Sequence, residues 1–232
     1  MLNGPSGGDP LNTYFEKQFN QPKIKTINRL NKEFLNLMNM MKPLFLGIKE
    51  LSKNNIVHND IKYQNIILQN DKFKFIDFGI SGKTSDIKVF KNRSLQELNT
   101  NRIYMFYPLE YIYYYADYFK LLDELNSPGE RSNFNYFDYL FYCFNIDSKK
   151  VKADTIYHLL DGNKSTTDMI NKIDVYSLGT LIPLLFFTSP FRDVQYYMEK
   201  SEMIKDFFGL FKKMCEPLCK NRMDAEAAYK ES

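Results

Sequence analysis

Two short polar loops carry the residues that could do chemistry. The first reads His58-Asn59-Asp60-Ile61-Lys62-Tyr63-Gln64-Asn65, and the second Asp77-Phe78-Gly79. Asn65 and Asp77 offer oxygen ligands of the kind a hard cation prefers, and Lys62 adds a fixed positive charge two residues beyond the Asp60 carboxylate. Singly, Asp and Asn in polar loops are usually turn formers or caps. A lone His is more often packed or hydrogen-bonded in a core, and His58 is read in that structural way. The order and spacing of the set therefore carry the functional reading, not any one residue.

The segments between and around these loops must position them. Ile66-Ile67-Leu68 and Phe73-Lys74-Phe75-Ile76 are β-prone runs joined by Gln69-Asn70-Asp71-Lys72, a polar turn typical of a hairpin. Before the first loop, Leu30, Phe34, Leu37, Met41, Phe45, Ile48 and Leu51 recur at three and four, which predicts a helix over 27–53 with one apolar face. Pro43 is expected to kink or restart it. Further upstream, Gly4-Pro5-Ser6-Gly7-Gly8-Asp9-Pro10 breaks regular structure and reads as a connector. Beyond Glu110 the apolar spacing is mostly helical, most clearly over 174–187, and again near 201–214 and 224–230. The expected architecture is a mainly α lobe carrying a small β hairpin, without an internal repeat.

Composition bounds the function. With 232 residues, 44% of them apolar, the chain can bury one sizeable core or two small ones and lacks the signature of disorder. The longest apolar run, Leu181 to Phe187, falls far short of the roughly 20 residues that cross a bilayer, and no basic-then-apolar signal pattern opens the chain. The reading is a cytoplasmic protein with no membrane partner. A net charge of +3 is spread over interleaved Lys, Asp and Glu, so no basic face points to nucleic acid. Three cysteines, with only Cys215 and Cys219 close together, make neither a disulfide framework nor a zinc tetrad. At i and i+4 on an expected helix, those two read as apolar fillers. The wealth of Asn, Lys, Ile, Tyr and Phe with no Trp matches codon bias in an AT-rich genome, which points to a large DNA virus, and then host cytoplasm, or to a protist.

His-x-Asp-x-Lys-x-x-Asn followed one hairpin later by Asp-Phe-Gly resembles the catalytic loop and metal-binding triplet of the eukaryotic protein kinases. Asp-Phe-Gly alone carries little; the compound pattern is specific. Three further features fall in the family's order. Tyr104-Met105-Phe106-Tyr107-Pro108-Leu109-Glu110 resembles the end of the activation segment, with Pro-Leu-Glu in place of Ala-Pro-Glu. Asp174-Val175-Tyr176-Ser177-Leu178-Gly179 is similar to the start of the large lobe's buried central helix. Arg222, in the last helical region, sits where the family places the partner of Glu110.

The resemblance implies a protein-kinase-like fold, C-terminal lobe, over 13–232, with 1–12 as a hinge remnant and an atypical insertion at about 116–169. It implies transfer of the ATP γ-phosphate to a protein hydroxyl. Phosphoryl transfer needs alignment and charge neutralisation more than covalent help. In the family pattern Asp60 accepts and orients the substrate hydroxyl, and Lys62 places its charge near the transferred group. Asn65 and Asp77 hold Mg²⁺ against the nucleotide. His58, Gly79, Glu110, Asp174 and Arg222 are structural positions. A Lys at this offset goes with Ser and Thr substrates.

Departures accompany the match. Asn59 stands where many kinases carry an Arg that pairs with an activation-loop phosphate, so activity is expected to be independent of phosphorylation at Thr84, Ser85 or Thr100. No Gly-rich loop or strand lysine precedes Asp60, so the small lobe that grips ATP is expected to be missing. The exposed apolar face this leaves implies a separate N-lobe, a dimer contact or a regulatory partner, or else upstream sequence ahead of Met1 that would make this chain incomplete as written. The tyrosine-rich run Tyr111-Ile112-Tyr113-Tyr114-Tyr115, with Tyr118 and Phe119, is assigned to core packing in preference to a partner surface. Two other classes stay open: a non-catalytic pseudokinase, and a small-molecule kinase of the aminoglycoside type, against which Lys62, Gly79 and the 174–179 helix start speak.

Overall fold

The computed structural model describes residues 8–19, 26–88, 106–108, 142–145 and 166–232. Helix α1, Leu11–Phe19, buries Leu11, Phe15 and Phe19, one apolar residue per turn. Helix α2, Ile27–Lys53, is capped by Thr26, whose side chain accepts from the Arg29 N–H at 3.4 Å. It buries Leu30, Phe34, Leu37, Met41, Phe45 and Ile48 along the expected face. Pro43 lies inside it without ending it. The apolar stripe continues on both sides through Met41 and Leu44, and burial of that stripe outweighs the lost hydrogen bond, about 3 kcal/mol in an unsupported helix.

Strand β1, Ile56–Val57, pairs antiparallel with β4, Gly82–Lys83. Between them, a single 3-10 turn at Tyr63–Asn65 leads into the hairpin of β2, Ile66–Gln69, and β3, Lys72–Phe75. Its register pairs Ile66 with Phe75 and Gln69 with Lys72, so the loop is only Asn70-Asp71, with φ of 53° and 56°. Two successive left-handed residues make the mirror-image turn that matches strand twist. The preceding connector lies against this ribbon: Leu68 N–H donates to the Asp9 carbonyl at 2.9 Å, and Pro10 bridges Ile67. A Cβ on Gly8 would lie 1.5 Å from the Leu68 carbonyl oxygen, so only glycine permits this approach. Helix α1 begins at Leu11, inside the span 1–12 read as a hinge remnant.

The remaining described elements are α3, Thr166–Asn171; α4, Ile173–Phe187; α5, Val194–Lys200; α6, Glu202–Met214; and α7, Ala225–Glu231. Ser201 and Asp224 cap α6 and α7, accepting from the N–H groups of Ile204 and Ala227. Helix α4 is buried on every side from Ile173 to Phe186, the mark of a core helix. The stretch Thr167–Phe187 is long and apolar enough by composition to span a membrane, yet 83% of its apolar window is buried inside the protein. Around Phe186 the rings of Phe15, Phe19, Phe34, Phe191 and Phe208 gather at centroid distances of 5.5 to 6.3 Å.

Two local expectations are corrected. Arg222 lies in the loop between α6 and α7, and Cys215 and Cys219 do not share a helix: Cys215 is the C-cap of α6 and Cys219 follows in that loop. Pro217 explains the break, since it cannot donate a backbone hydrogen bond. Both cysteines are buried, and burial pushes the Cys215 thiol far up.

Two glycines test how tightly this core is packed. A Cβ at Gly179 would meet the Met214 Cβ at 2.6 Å and the Cys215 Sγ at 3.0 Å, whereas nothing lies within 4 Å of one at Gly209. Gly179→Ala should cost about 1–3 kcal/mol by overpacking despite better helix propensity, and Gly209→Ala should stabilise by about 0.5–1 kcal/mol. Urea denaturation of both variants checks this, and a shift of the same sign in both would contradict it.

Candidate active site

The first polar loop leaves β1 at Val57 and turns sharply. His58 and Asn59 donate their N–H groups to Asp174, at 2.6 Å to Oδ2 and 3.0 Å to Oδ1. Asp174 is in the first turn of α4, so a buried helix head holds the loop by its backbone. Burial pushes the Asp174 carboxyl above the usual carboxylate range, and the neighbouring N–H groups pull it back down. Asn59 takes φ of 65°, a left-handed conformation that Asn tolerates better than most residues.

This turn delivers Asp60 to the centre of a donor cluster. Its Oδ2 accepts from Lys62 Nζ at 2.7 Å and from Asn65 Nδ2 at 2.8 Å, and the same Nδ2 also donates to the Asp60 carbonyl at 2.9 Å. Its Oδ1 accepts from the Tyr107 hydroxyl at 3.3 Å, and that hydroxyl also donates to the Asn59 carbonyl at 3.2 Å. Asp60 and Asn65 are buried, while Lys62 is a quarter exposed. Three of the sequence-identified residues thus meet on one carboxylate.

The second loop joins the first through the hairpin. Ile76 N–H donates to the Asn65 carbonyl at 2.9 Å, which sets Asp77 one residue beyond the Asn65 end of the ribbon. His58 Nε2 lies 3.2 Å from the Ile76 carbonyl, and its ring rests against Phe78 at 4.5 Å and Phe75 at 5.4 Å. Since the carbonyl can only accept, Nε2 carries the proton, and the buried Nδ1 finds no partner. Ser81 Oγ closes the join by donating to the His58 carbonyl at 3.1 Å. Asp77 itself is exposed, with φ of 61°, and accepts from the Gly79 N–H at 3.3 Å.

Arg222 is buried elsewhere. It donates to the carbonyls of Glu216, Pro217 and Lys172, at 2.9, 3.1 and 3.5 Å, and stands 4.9 Å over the Tyr176 ring. It fastens the loop after α6 to the start of α4. Glu110, its sequence-expected partner, lies outside the described residues, as do the tyrosine-rich run, Thr100 and most of the span read as an insertion. Among the described residues no group of three His, Cys, Asp or Glu side chains could hold a metal.

The sequence assigned no role to two contacts that matter. Tyr107 reaches Asp60 across 47 residues, and Ser177 donates to the Phe106 carbonyl at 2.7 Å, anchoring that segment on α4. Neither has a local signal, because both depend on tertiary approach.

Residues 11–105 match the family described as protein kinase domain, a span that includes both polar loops. "Putative serine/threonine-protein kinase L670" of Acanthamoeba polyphaga mimivirus is 40% identical over 52 residues, 22% of this chain and 10% of that protein. The chain thus matches about a tenth of the length of this curated relative.

The Asp174 anchor generates a stability prediction. Asp174→Ala leaves two buried N–H groups without acceptors and should cost about 2–4 kcal/mol. Asp174→Asn relieves the buried charge but turns an N–H toward an N–H, so its loss should be smaller. Denaturant midpoints give the order, and an alanine variant as stable as the parent would refute the anchor.

Proposed function

We propose, for a chain whose residues 11–105 match the protein kinase domain family, that it is the C-terminal lobe of a Ser/Thr protein kinase, transferring the ATP γ-phosphate to a protein hydroxyl. The observation that carries this reading is the convergence of Lys62 Nζ and Asn65 Nδ2 on Asp60 Oδ2 at 2.7 and 2.8 Å. Such a carboxylate is rigid, buried and flanked by a cation, which suits alignment of a substrate hydroxyl next to developing phosphate charge.

The roles follow from the donors each residue has and lacks. Asp60 accepts the hydrogen bond of the acceptor hydroxyl and orients its oxygen. Lys62 lies beside it, part-exposed, where its ammonium can face a phosphoryl oxygen. Asn65 uses its amide nitrogen on Asp60, which leaves Oδ1 as its ligand atom. Asp77 is exposed and takes only a long bond from its own turn, so its oxygens suit Mg²⁺, a cation that keeps few protein ligands. Bound there with ATP, Mg²⁺ would neutralise charge on the phosphate oxygens. Exposed Ile76 and Phe78 beside Asp77 form an apolar edge that fits cover by a second, nucleotide-gripping lobe.

Thr84 bears on regulation. Its hydroxyl is buried, with the residue 1% exposed, so another kinase cannot reach it in this conformation. Asn59 gives no cation to receive a phosphate.

Two experiments test the reading. Millimolar ATP with Mg²⁺ should raise the melting temperature of the full chain by mass action, and radiolabelled phosphate should pass to a mixed Ser/Thr peptide library in preference to a Tyr library. Asp60→Asn should lower transfer at least about a hundredfold while keeping the melting shift, and Asp77→Asn should lose both. Absence of any nucleotide-dependent shift, together with absence of transfer, would favour a non-catalytic binding module. Second, joint alanine substitution of Thr84, Ser85 and Thr100 should leave the transfer rate unchanged; a loss of tenfold or more would sink independence from phosphorylation.

A further inference from the structure

Tyr107 reaches the centre of the site from a distant segment. Its ring is 1% exposed and packs in a buried cluster with Val57, Met169, Ile170, Ile173 and Cys219. Val57 ends β1, immediately before the polar loop, and Ile173 opens α4, immediately before Asp174. The ring therefore packs with residues of both elements that hold the start of the loop. Beside it, Ser177 holds the Phe106 carbonyl at 2.7 Å, and the Phe106 ring meets the Tyr63 ring edge-on at 4.8 Å. Little freedom remains for the phenol except to point where it does.

The hydroxyl divides one donor between the Asn59 carbonyl at 3.2 Å and Asp60 Oδ1 at 3.3 Å. Both lengths are long for O–H···O bonds, as a shared proton requires. Asn59 is the left-handed residue of the loop, and Asp174 takes its N–H. Its N–H and C=O are thus both held, by Asp174 and Tyr107. A strained φ persists where the surroundings over-determine it in this way. The same hydroxyl fixes the second oxygen of Asp60, whose first oxygen is fixed by Lys62 and Asn65.

We propose that Tyr107 is a positioning residue for phosphoryl transfer, holding the left-handed Asn59 turn and the plane of the Asp60 carboxylate through one shared hydroxyl. This rests on the kinase reading given above, with Asp60 as the group that orients the acceptor hydroxyl. Loss of the hydroxyl removes one hold on Oδ1 while Lys62 and Asn65 keep theirs on Oδ2, so alignment suffers and nucleotide binding does not.

The test is Tyr107→Phe in the full chain, which keeps the ring in its cluster. Relative to the parent, kcat for peptide phosphorylation should fall about tenfold with KM for ATP unchanged within twofold, measured well below both melting temperatures. In an Asp60→Asn background the same substitution should change the residual rate less than twofold, since its route of action is gone. A parent-like kcat in Tyr107→Phe overturns the inference while the kinase reading stands. A tenfold loss that persists in the Asp60→Asn background also overturns it, because the residue then acts elsewhere. If the parent transfers no phosphate, the kinase reading fails and takes this role with it. Independently of turnover, unfolding equilibria of Tyr107→Phe, Asp60→Ala and the double variant should be non-additive by a factor of roughly five to ten; additive effects would mean the bond is not formed in solution.

Discussion

Asp174 sits in the first turn of α4, buried, with N–H groups from residues 116 and 115 positions earlier donating to its two oxygens. Taking a carboxylate out of water costs several kcal/mol unless donors replace the lost solvation. Here they do, and the N-terminal end of the α4 dipole adds a favourable field. Its value is geometric. Helix α4 is buried all round, with Phe186 at its far end packed among five other phenylalanines. A head anchored in such a helix cannot shift without repacking the core, and close-packed cores resist that. The loop inherits the rigidity of the whole helical body through two hydrogen bonds.

Rigidity of that kind lets the loop keep a conformation that the chain alone disfavours. Among the described residues, positive φ outside glycine occurs at Asn55, Asn59, Asn70, Asp71, Asp77 and Asn145, all of them Asn or Asp. These are the side chains for which the left-handed region is least costly. Asn70 and Asp71 merely turn a hairpin. Asn59 and Asp77 are different, since each sits inside one of the two chemical loops and re-aims the chain at the point where a carboxylate must face the site. An abundance of Asn that looks like genomic bias in the composition is, at these positions, a conformational requirement.

What could be read from the sequence follows from the range of the forces involved. Helix α2 and the hairpin were legible because their apolar periods and turn residues are local. The polar loops were legible as a compound pattern of residue types. Pro43 does not restart the helix, because a proline penalty is local while the burial of Met41, Leu44, Phe45 and Ile48 that overrides it is tertiary. The two-residue pairing of β1 with β4 has no periodicity to detect, and it joins the flanks of the two loops. Arg222 was read into the last helical region from the family's order of features, yet its guanidinium satisfies carbonyls of a turn that includes Pro217. Tyr107 was visible as part of a motif, but its partner lies 47 residues away and only the fold reveals the bond.

The two halves of the candidate site differ in how complete they are. Asp60 is 6% exposed and receives donors from Lys62, Asn65 and Tyr107, so its orientation is set by the folded chain itself. Asp77 is exposed and receives a long N–H from its own turn, and the neighbouring Phe78 ring is 49% exposed although it rests on His58. Water screens a carboxylate placed like Asp77, so its charge acts over a short range until something displaces that water. A buried carboxylate needs no such event. On the proposed reading, electrostatic preorganisation is therefore present at Asp60, where an acceptor hydroxyl would be aligned, and absent at Asp77, where phosphate charge would be neutralised. His58 bridges the two halves, with its backbone N–H on Asp174 and its ring on Ile76. Ordering of the Asp77 side by whatever covers it would therefore be felt against a fixed reference, the same α4 head that holds Asp60.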